Sequence, residues 1–146
     1  MKGPKPTLQL VTPMKGDAPR DVPQPPAFLS EEGRAVWDRL APVMVRKDRL
    51  ELHFHDLFAA YCESAADFMQ FTIDLVADGY SYVSETRNGR QEKKRAAWGQ
   101  RQEALQNMQR IGALFGLSPV DEQRISSGGQ GDLLDLLTKA VSGESA

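Results

Sequence analysis

Apolar positions recur every three or four residues over one long stretch of this chain. Between Glu51 and Asp78, residues Phe54, Leu57, Phe58, Tyr61, Ala65, Phe68, Met69, Thr72, Leu75 and Val76 fall on one face of a helix. No Gly or Pro interrupts the stretch, and Gly79 stands where a helix end needs left-handed backbone. At 1.5 Å per residue the helix would run roughly 40 Å. Before it, Ser30 reads as an N-cap, with Glu31 and Glu32 opposing the dipole of a first helix. Val36, Trp37, Leu40, Val43 and Met44 then follow at helical spacing. Pro42 lies inside that pattern and predicts a kink or restart near Ala41.

After Gly79 the period changes from helical to alternating. Tyr80, Tyr82, Val83 and Thr86, then Asn88-Gly89, then Arg90 to Glu92 predict a β-hairpin over about 80–92, with positive φ at both Asn88 and Gly89. A lone hairpin is marginal in water, so it must rest on the helices or on a neighbouring subunit. A third helix is predicted from about Ala96 to Phe115, with Trp98, Leu105, Met108, Ile111, Leu114 and Phe115 on its apolar face and Gly116 at its end. Ser118-Pro119 opens a short helical turn through Ile125. The sequence is therefore mainly α: a core of about three helices over 29–125 with a small hairpin. The core is flanked by a Pro-rich arm (1–28), a Gly-rich linker (126–131) and an amphipathic tail (132–146).

The arm holds seven of the nine prolines, a density that excludes helix and sheet interiors, so order is expected to begin at Phe28-Leu29. The tail carries Leu133, Leu134, Leu136, Leu137 and Val141 on a short amphipathic helix suited to docking on a partner or on its own domain.

Composition adds limits. The chain of 146 residues has room for one domain with a core, plus tails. It contains no apolar run of membrane-spanning length and no apolar block near its start, so a cytoplasmic protein is expected. Cys62 is the one cysteine and reads as a small core residue. The net charge of −2 hides segregation. Residues 51–79 carry Glu51, Asp56, Glu63, Asp67, Asp74 and Asp78 and no Lys or Arg, whereas residues 80–104 sum to +3. Such blocks suggest charged faces meeting opposite partners or other copies of the chain.

The basic candidates for phosphate contact are Lys2, Lys5, Lys15 and Arg20 in the arm, Arg46 and Lys47 before the long helix, and Arg87, Arg90, Lys93, Lys94 and Arg95 on the hairpin. The long helix begins Glu-Leu-His-Phe-His-Asp, which is repulsive to a phosphate-rich groove, so it is rejected as a recognition helix.

Catalytic chemistry finds little support. His53 and His55 are about 200° apart around a helix and cannot share a metal, while Glu51 and His55 suit a surface pair. No nucleophile motif or phosphate-cradling loop is present. No cofactor, metal or enzymatic activity is expected.

Several stretches together form a known ordered pattern: Lys2-Gly3-Pro4-Lys5-Pro6-Thr7; Leu29-Ser30 with Trp37-Asp38-x-Leu40-x-Pro42; Tyr61-Cys62; Asn88-Gly89; and Phe115-Gly116-Leu117-Ser118-Pro119 with Arg124-Ile125. In this order the set resembles the small terminase subunit family of tailed bacteriophages, over roughly residues 2 to 125. Family members often have Asn-Pro before the third helix, where this chain has Arg95-Ala96-Ala97.

The resemblance implies a non-catalytic protein of viral genome packaging. Such a protein forms a homo-oligomeric ring, binds double-stranded viral DNA near the packaging start, and recruits and regulates the large subunit that holds the ATPase and nuclease. It would act in the cytoplasm of the infected bacterial host. Two alternatives stay open: a small dimeric DNA-binding transcription regulator, and a ring-forming adaptor that binds no DNA. Whether 87–95 faces DNA or the acidic helix of a neighbouring copy is open as well.

Overall fold

A computed structural model describes residues 20–127 and residues 137–138 of the chain. Helix α1 spans Glu31–Arg46, α2 spans His55–Asp78 and α3 spans Ala96–Phe115. Between α2 and α3 lie strands β1 (Ser81–Thr86) and β2 (Gly89–Lys94), paired antiparallel. Residues 119–127 form a closing helical segment. The architecture is mainly helical with one two-stranded hairpin, as the periodicities indicate.

Helix α1 begins as its sequence predicts, with the Ser30 Oγ accepting from the Gly33 amide at 2.9 Å. The kink or restart near Ala41 is not seen, and the helix continues through Pro42 to Arg46. Ala41, Met44 and Val45, on either side of the proline, are all buried. Their packing offsets the roughly 3 kcal/mol that an interior proline costs. Asp48 then turns the chain with φ 56, a conformation Asp tolerates better than most residues. The long helix does not start at Glu51. Leu52–Phe54 form a 3₁₀ turn, and α2 proper begins at His55. Gly79 and Gly116 end α2 and α3 with φ of 82 and 67.

The core lies where α1 and α3 both pack on α2. Trp37, Ala41, Phe58, Ala59 and Cys62 are fully buried, with Val36, Met44 and Phe115 nearly so in the same cluster, and Leu75 is buried further along α2. Phe58 meets Trp37 at 5.0 Å and Phe115 at 5.4 Å between ring centroids, joining all three helices. The burial of Cys62 pushes its thiol up to about 12.

Ordered chain starts before Phe28. Residues 20–26 are extended and tied to α1: the Trp37 Nε1 donates to the Pro23 carbonyl at 3.0 Å, and Arg34 donates to the Ala27 carbonyl at 2.8 Å. The disorder expected for the rest of the arm falls on residues 1–19, outside the described residues; of the linker expected over 126–131, Ser126 and Ser127 belong to the closing helical segment and 128–131 lie outside the described residues. The closing segment is fastened by Lys47, whose ammonium donates to both Glu122 oxygens at 2.6 and 2.7 Å. Arg49 bridges the Phe115 carbonyl (3.1 Å) and Glu122.

Candidate nucleic-acid and assembly surfaces

The hairpin rises from a root fixed by stacked cations. Arg101 lies over the ring of Tyr80 at 5.5 Å, Arg95 over Tyr82 at 6.0 Å, and the Lys94 ammonium over Trp98 at 4.1 Å. The Arg95 amide also donates to the Tyr80 carbonyl at 3.0 Å. Beyond this root β2 is exposed at every residue.

The register places Thr86 opposite Gly89, so the turn residues are Arg87 and Asn88 rather than Asn88 and Gly89. Neither has positive φ; Gly89 alone does, at 105, so the expected positive φ at Asn88 is not found. The loop is therefore two residues long, and its positive-φ position falls on the glycine that opens β2.

Directly opposed residues share a face. One face carries Ser81, Val83, Glu85, Arg90, Glu92 and Lys94, and the other Tyr82, Ser84, Thr86, Gln91 and Lys93. The five cations that read as one dense cluster are therefore divided. Lys94 and Arg95 are held in stacks at the root, Arg90 faces Glu85, and Lys93 is on the other side. Among the described residues Arg87, Arg90 and Lys93 are exposed and have no ion-pair partner.

Of the remaining basic candidates, Lys47 is engaged by Glu122 and Arg20 is paired with Asp48. That second pair brings residue 20, the root of the arm, to the turn that follows the exposed Arg46. Lys2, Lys5 and Lys15 lie outside the described residues. So do Leu133, Leu134, Leu136 and Val141 of the tail, whereas Leu137 is helical and exposed.

The carboxylates of α2 form a row. Asp56, Glu63, Asp67, Asp74 and Asp78 are spaced 7, 4, 7 and 4, which keeps them within a narrow arc. Within the row Glu63 and Asp67, and Asp74 and Asp78, are like charges at i, i+4, an arrangement that destabilises a helix. Burial, and then the charge of Glu63, raise the carboxyl of Asp67 above its ordinary value. Glu63 also accepts from the Ser30 amide at 2.5 Å and the Ser30 hydroxyl at 3.0 Å, pinning the start of α1.

That pin limits how far α1 covers α2. Trp37 reaches His55 and Phe58, and the start of α1 sits opposite Glu63. On the turns beyond, Met69, Ile73 and Val76 continue the face to which Cys62 and Ala66 belong, yet they are 41, 61 and 76% exposed. Met69 and Val76 are thus not core residues, and neither are Phe54 and Leu57 at the other end. There Phe54, Leu57, Leu114, Phe115 and Ile125 line a second apolar groove of about 380 Å³. Periodicity identified the stripe but not its cover. The missed signal is length, since a 16-residue α1 cannot shield a 24-residue α2.

The histidines behave as surface and packing groups. His53 lies 3.6 Å from Glu51, and His55 stands edge-on to Trp37 at 5.8 Å. Among the described residues no group of three or more His, Cys, Asp or Glu is placed to hold a metal ion, and no helix is long and apolar enough to cross a membrane.

These features describe a small helical protein whose distinctive surfaces are a projecting basic hairpin, an acidic row and uncovered apolar turns: surfaces for contact with macromolecules. Residues 33–132 match the family model of the phage terminase small subunit, and the chain belongs to that family. The match spans all three helices and the hairpin, and it supports a role in phage DNA packaging, with DNA and a large terminase subunit as the general partners. No curated protein and no solved structure matches the chain.

Proposed function

We propose that this chain is the non-catalytic recognition subunit of a phage packaging machine, acting in the cytoplasm of the infected host. It assembles as a ring of identical chains, binds viral DNA, and recruits and regulates the large subunit that carries ATPase and nuclease. The observation that carries this reading is the family match across the whole helical core and hairpin. DNA is met by the arm cations Lys2, Lys5, Lys15 and Arg20, by Arg46 where the arm leaves the body, and by Arg87 at the hairpin tip. Exposure of Arg46 and Arg87 and the position of residue 20 beside the α1–α2 turn support that assignment. The tail, through Leu133, Leu134, Leu136, Leu137 and Val141, docks on the large subunit.

The test is native mass by light scattering, followed by duplex binding across a salt series. A single multi-copy species is expected, with log affinity falling linearly in log salt by about 0.9 per phosphate contact. Changing Lys2, Lys5, Lys15 and Arg46 together to Ala flattens that slope and leaves the mass unchanged. A monomer at every concentration, or duplex binding indifferent to salt, refutes the reading. A dimer that binds symmetric half-sites replaces it with the transcription-regulator alternative.

A further inference from the structure

The apolar groove at the start of α2 is walled by three elements. Phe54 and Leu57 come from the entry to α2, Leu114 and Phe115 from the end of α3, and Ile125 from the closing segment. Its two charged lining residues are engaged elsewhere: Asp48 pairs with Arg20, and Arg49 bonds to the Phe115 carbonyl and to Glu122. Leu57 is 40% exposed and Leu114 66%. Apolar side chains left bare together around about 380 Å³ of space mark a place where something apolar docks.

The closing segment leads from this groove to the tail. Ile125 is part of the groove wall, the segment is helical through Ser127, and Leu133 follows six residues later. Six residues reach at most about 20 Å even when fully extended, so the first leucine of the tail is confined to the neighbourhood of the groove. Gly128, Gly129 and Gly131 give the intervening stretch the freedom to turn back. Leu133, Leu134, Leu137 and Val141 recur at helical spacing, and a helix over 132–141 would be about 15 Å long. Ten residues are too few to hold a helix alone in water. Leu137 is helical and 53% exposed, so it has apolar surface to give up to a docking site.

We propose that the occupant of this groove is the chain's own tail, residues 132–141, folded back as a helix with its leucines against Leu57, Leu114 and Ile125. The inference rests on the reading of the tail as the contact for the large subunit and deepens it, making the groove the resting site from which the tail is recruited. Tethering decides between occupants. A short flexible link holds the tail at an effective concentration of about 1 mM, which a partner free in solution would have to exceed. A groove with an intrinsic Kd of about 0.1 mM is then filled in roughly nine chains of ten. Groove and large subunit compete for the same leucines, so groove occupancy lowers the apparent affinity for the large subunit about ten-fold.

The experiment places one cysteine in the groove of the full chain, Leu114→Cys. The natural Cys62 stays silent, since it is fully buried and its thiol is pushed up to about 12. Labelling by an aromatic disulfide reagent is timed with the tail intact and with Leu133→Glu/Leu137→Glu, and native mass is measured on the same samples. The tail variant is expected to label about ten-fold faster at unchanged mass. In Leu114→Cys/Leu137→Cys, mild oxidation is expected to give a disulfide within one chain, running at the 16.2 kDa of a single chain on a non-reducing gel. Gln123→Cys/Leu137→Cys, whose first cysteine is exposed on the closing segment but outside the groove, is expected to couple more slowly. Leu57→Glu/Leu114→Glu is expected to bind the large subunit about ten-fold more tightly than wild type.

Equal labelling rates, or equal coupling of residues 114 and 123 to residue 137, overturn the inference by leaving the tail to chance collision. A disulfide-linked pair of chains overturns it by seating the tail on a neighbouring copy. Protection lost together with the multi-copy mass overturns it by making the groove a contact between subunits. If the disulfide within one chain forms but removal of 132–146 leaves stimulation of the large subunit unchanged, the recruitment reading fails. The resting-site role then fails with it, while the seat itself stands.

Discussion

Gly33 is the position where an ordinarily stabilising substitution should do harm. It lies in the first turn of α1 with helical backbone, where Gly→Ala usually gains about 1 kcal/mol. A Cβ at this position would overlap the Glu63 Oε1 and sit 3.0 Å from the Ser30 Oγ. The overlap alone is inexpensive, because a carboxylate at the end of a flexible side chain can swing aside. Its swing breaks the 2.5 Å and 3.0 Å bonds that Glu63 accepts from the Ser30 amide and hydroxyl. Two charge-assisted bonds, ordinarily about 1.5–3 kcal/mol each, are at this exposed site discounted to about 2 kcal/mol together.

The net effect of Gly33→Ala is then a loss of about 1 kcal/mol, or roughly 4 °C in Tm. The sign depends on Glu63. In a Glu63→Ala background the same substitution meets only the 3.0 Å approach to the Ser30 Oγ and stabilises by up to about 1 kcal/mol. Gly99→Ala in α3, where a Cβ meets nothing within 4 Å, stabilises in both backgrounds. Urea melts of the four combinations at one chain concentration read the cycle directly. Gly33→Ala more stable than wild type, or equally destabilising with and without Glu63, refutes the account of how α1 is placed.

The Cys62 thiol, pushed up to about 12 chiefly by burial, should resist an aromatic disulfide reagent in the folded chain. At pH 8 its thiolate fraction is about 1 in 10,000, against about 1 in 10 for an unperturbed thiol. Reaction is therefore at least a thousand-fold slower than in denaturant, and prompt labelling of folded protein would contradict the packing. Glu122, lowered chiefly by its hydrogen bond from Lys47, contributes stability that is present above its ordinary value of 4.5. That contribution is lost as pH falls through the depressed native value. Amide exchange of residues 119–127, corrected for intrinsic rate, should show Glu122→Gln less protected than wild type at pH 6, with the difference shrinking as pH falls through the depressed native value. Equal protection at pH 6 would mean that the Lys47 clamp does not hold the closing segment.

Much of this fold is written in local chemistry. Ser30 with Glu31 and Glu32 marks the start of α1, Gly79 and Gly116 mark two helix ends, and Asn88-Gly89 announces the hairpin. Local signals run out where long-range packing decides. The same Asn-Gly pair can fill both turn positions or put Asn in the turn and Gly at the start of the next strand, and the strand register has the second. Pro42 stays within a helix because the buried residues around it hold the backbone. The basic cluster at 87–95 separates into root and tip only when Tyr82 and Trp98 are in place to stack Arg95 and Lys94. Lys47 reads as free in the sequence because its partner, Glu122, is 75 residues away.

Departures from self-sufficiency in this chain gather towards the ends of α2. A monomeric domain of this size would cover the apolar turns of its longest helix, pair or shorten its exposed strand, and alternate its surface charge. Here Ile73 and Val76 are bare, β2 is exposed at every residue, and Asp74 and Asp78 repeat a like charge, all within about two turns of the hairpin. The middle of the same helix is buried against Trp37 and Phe115, whereas Phe54 and Leu57 at its start are exposed as well. A sequence that is locally consistent in the middle of its longest helix and breaks these rules towards the ends is what the proposed assembly calls for, since a partner would cover such surfaces.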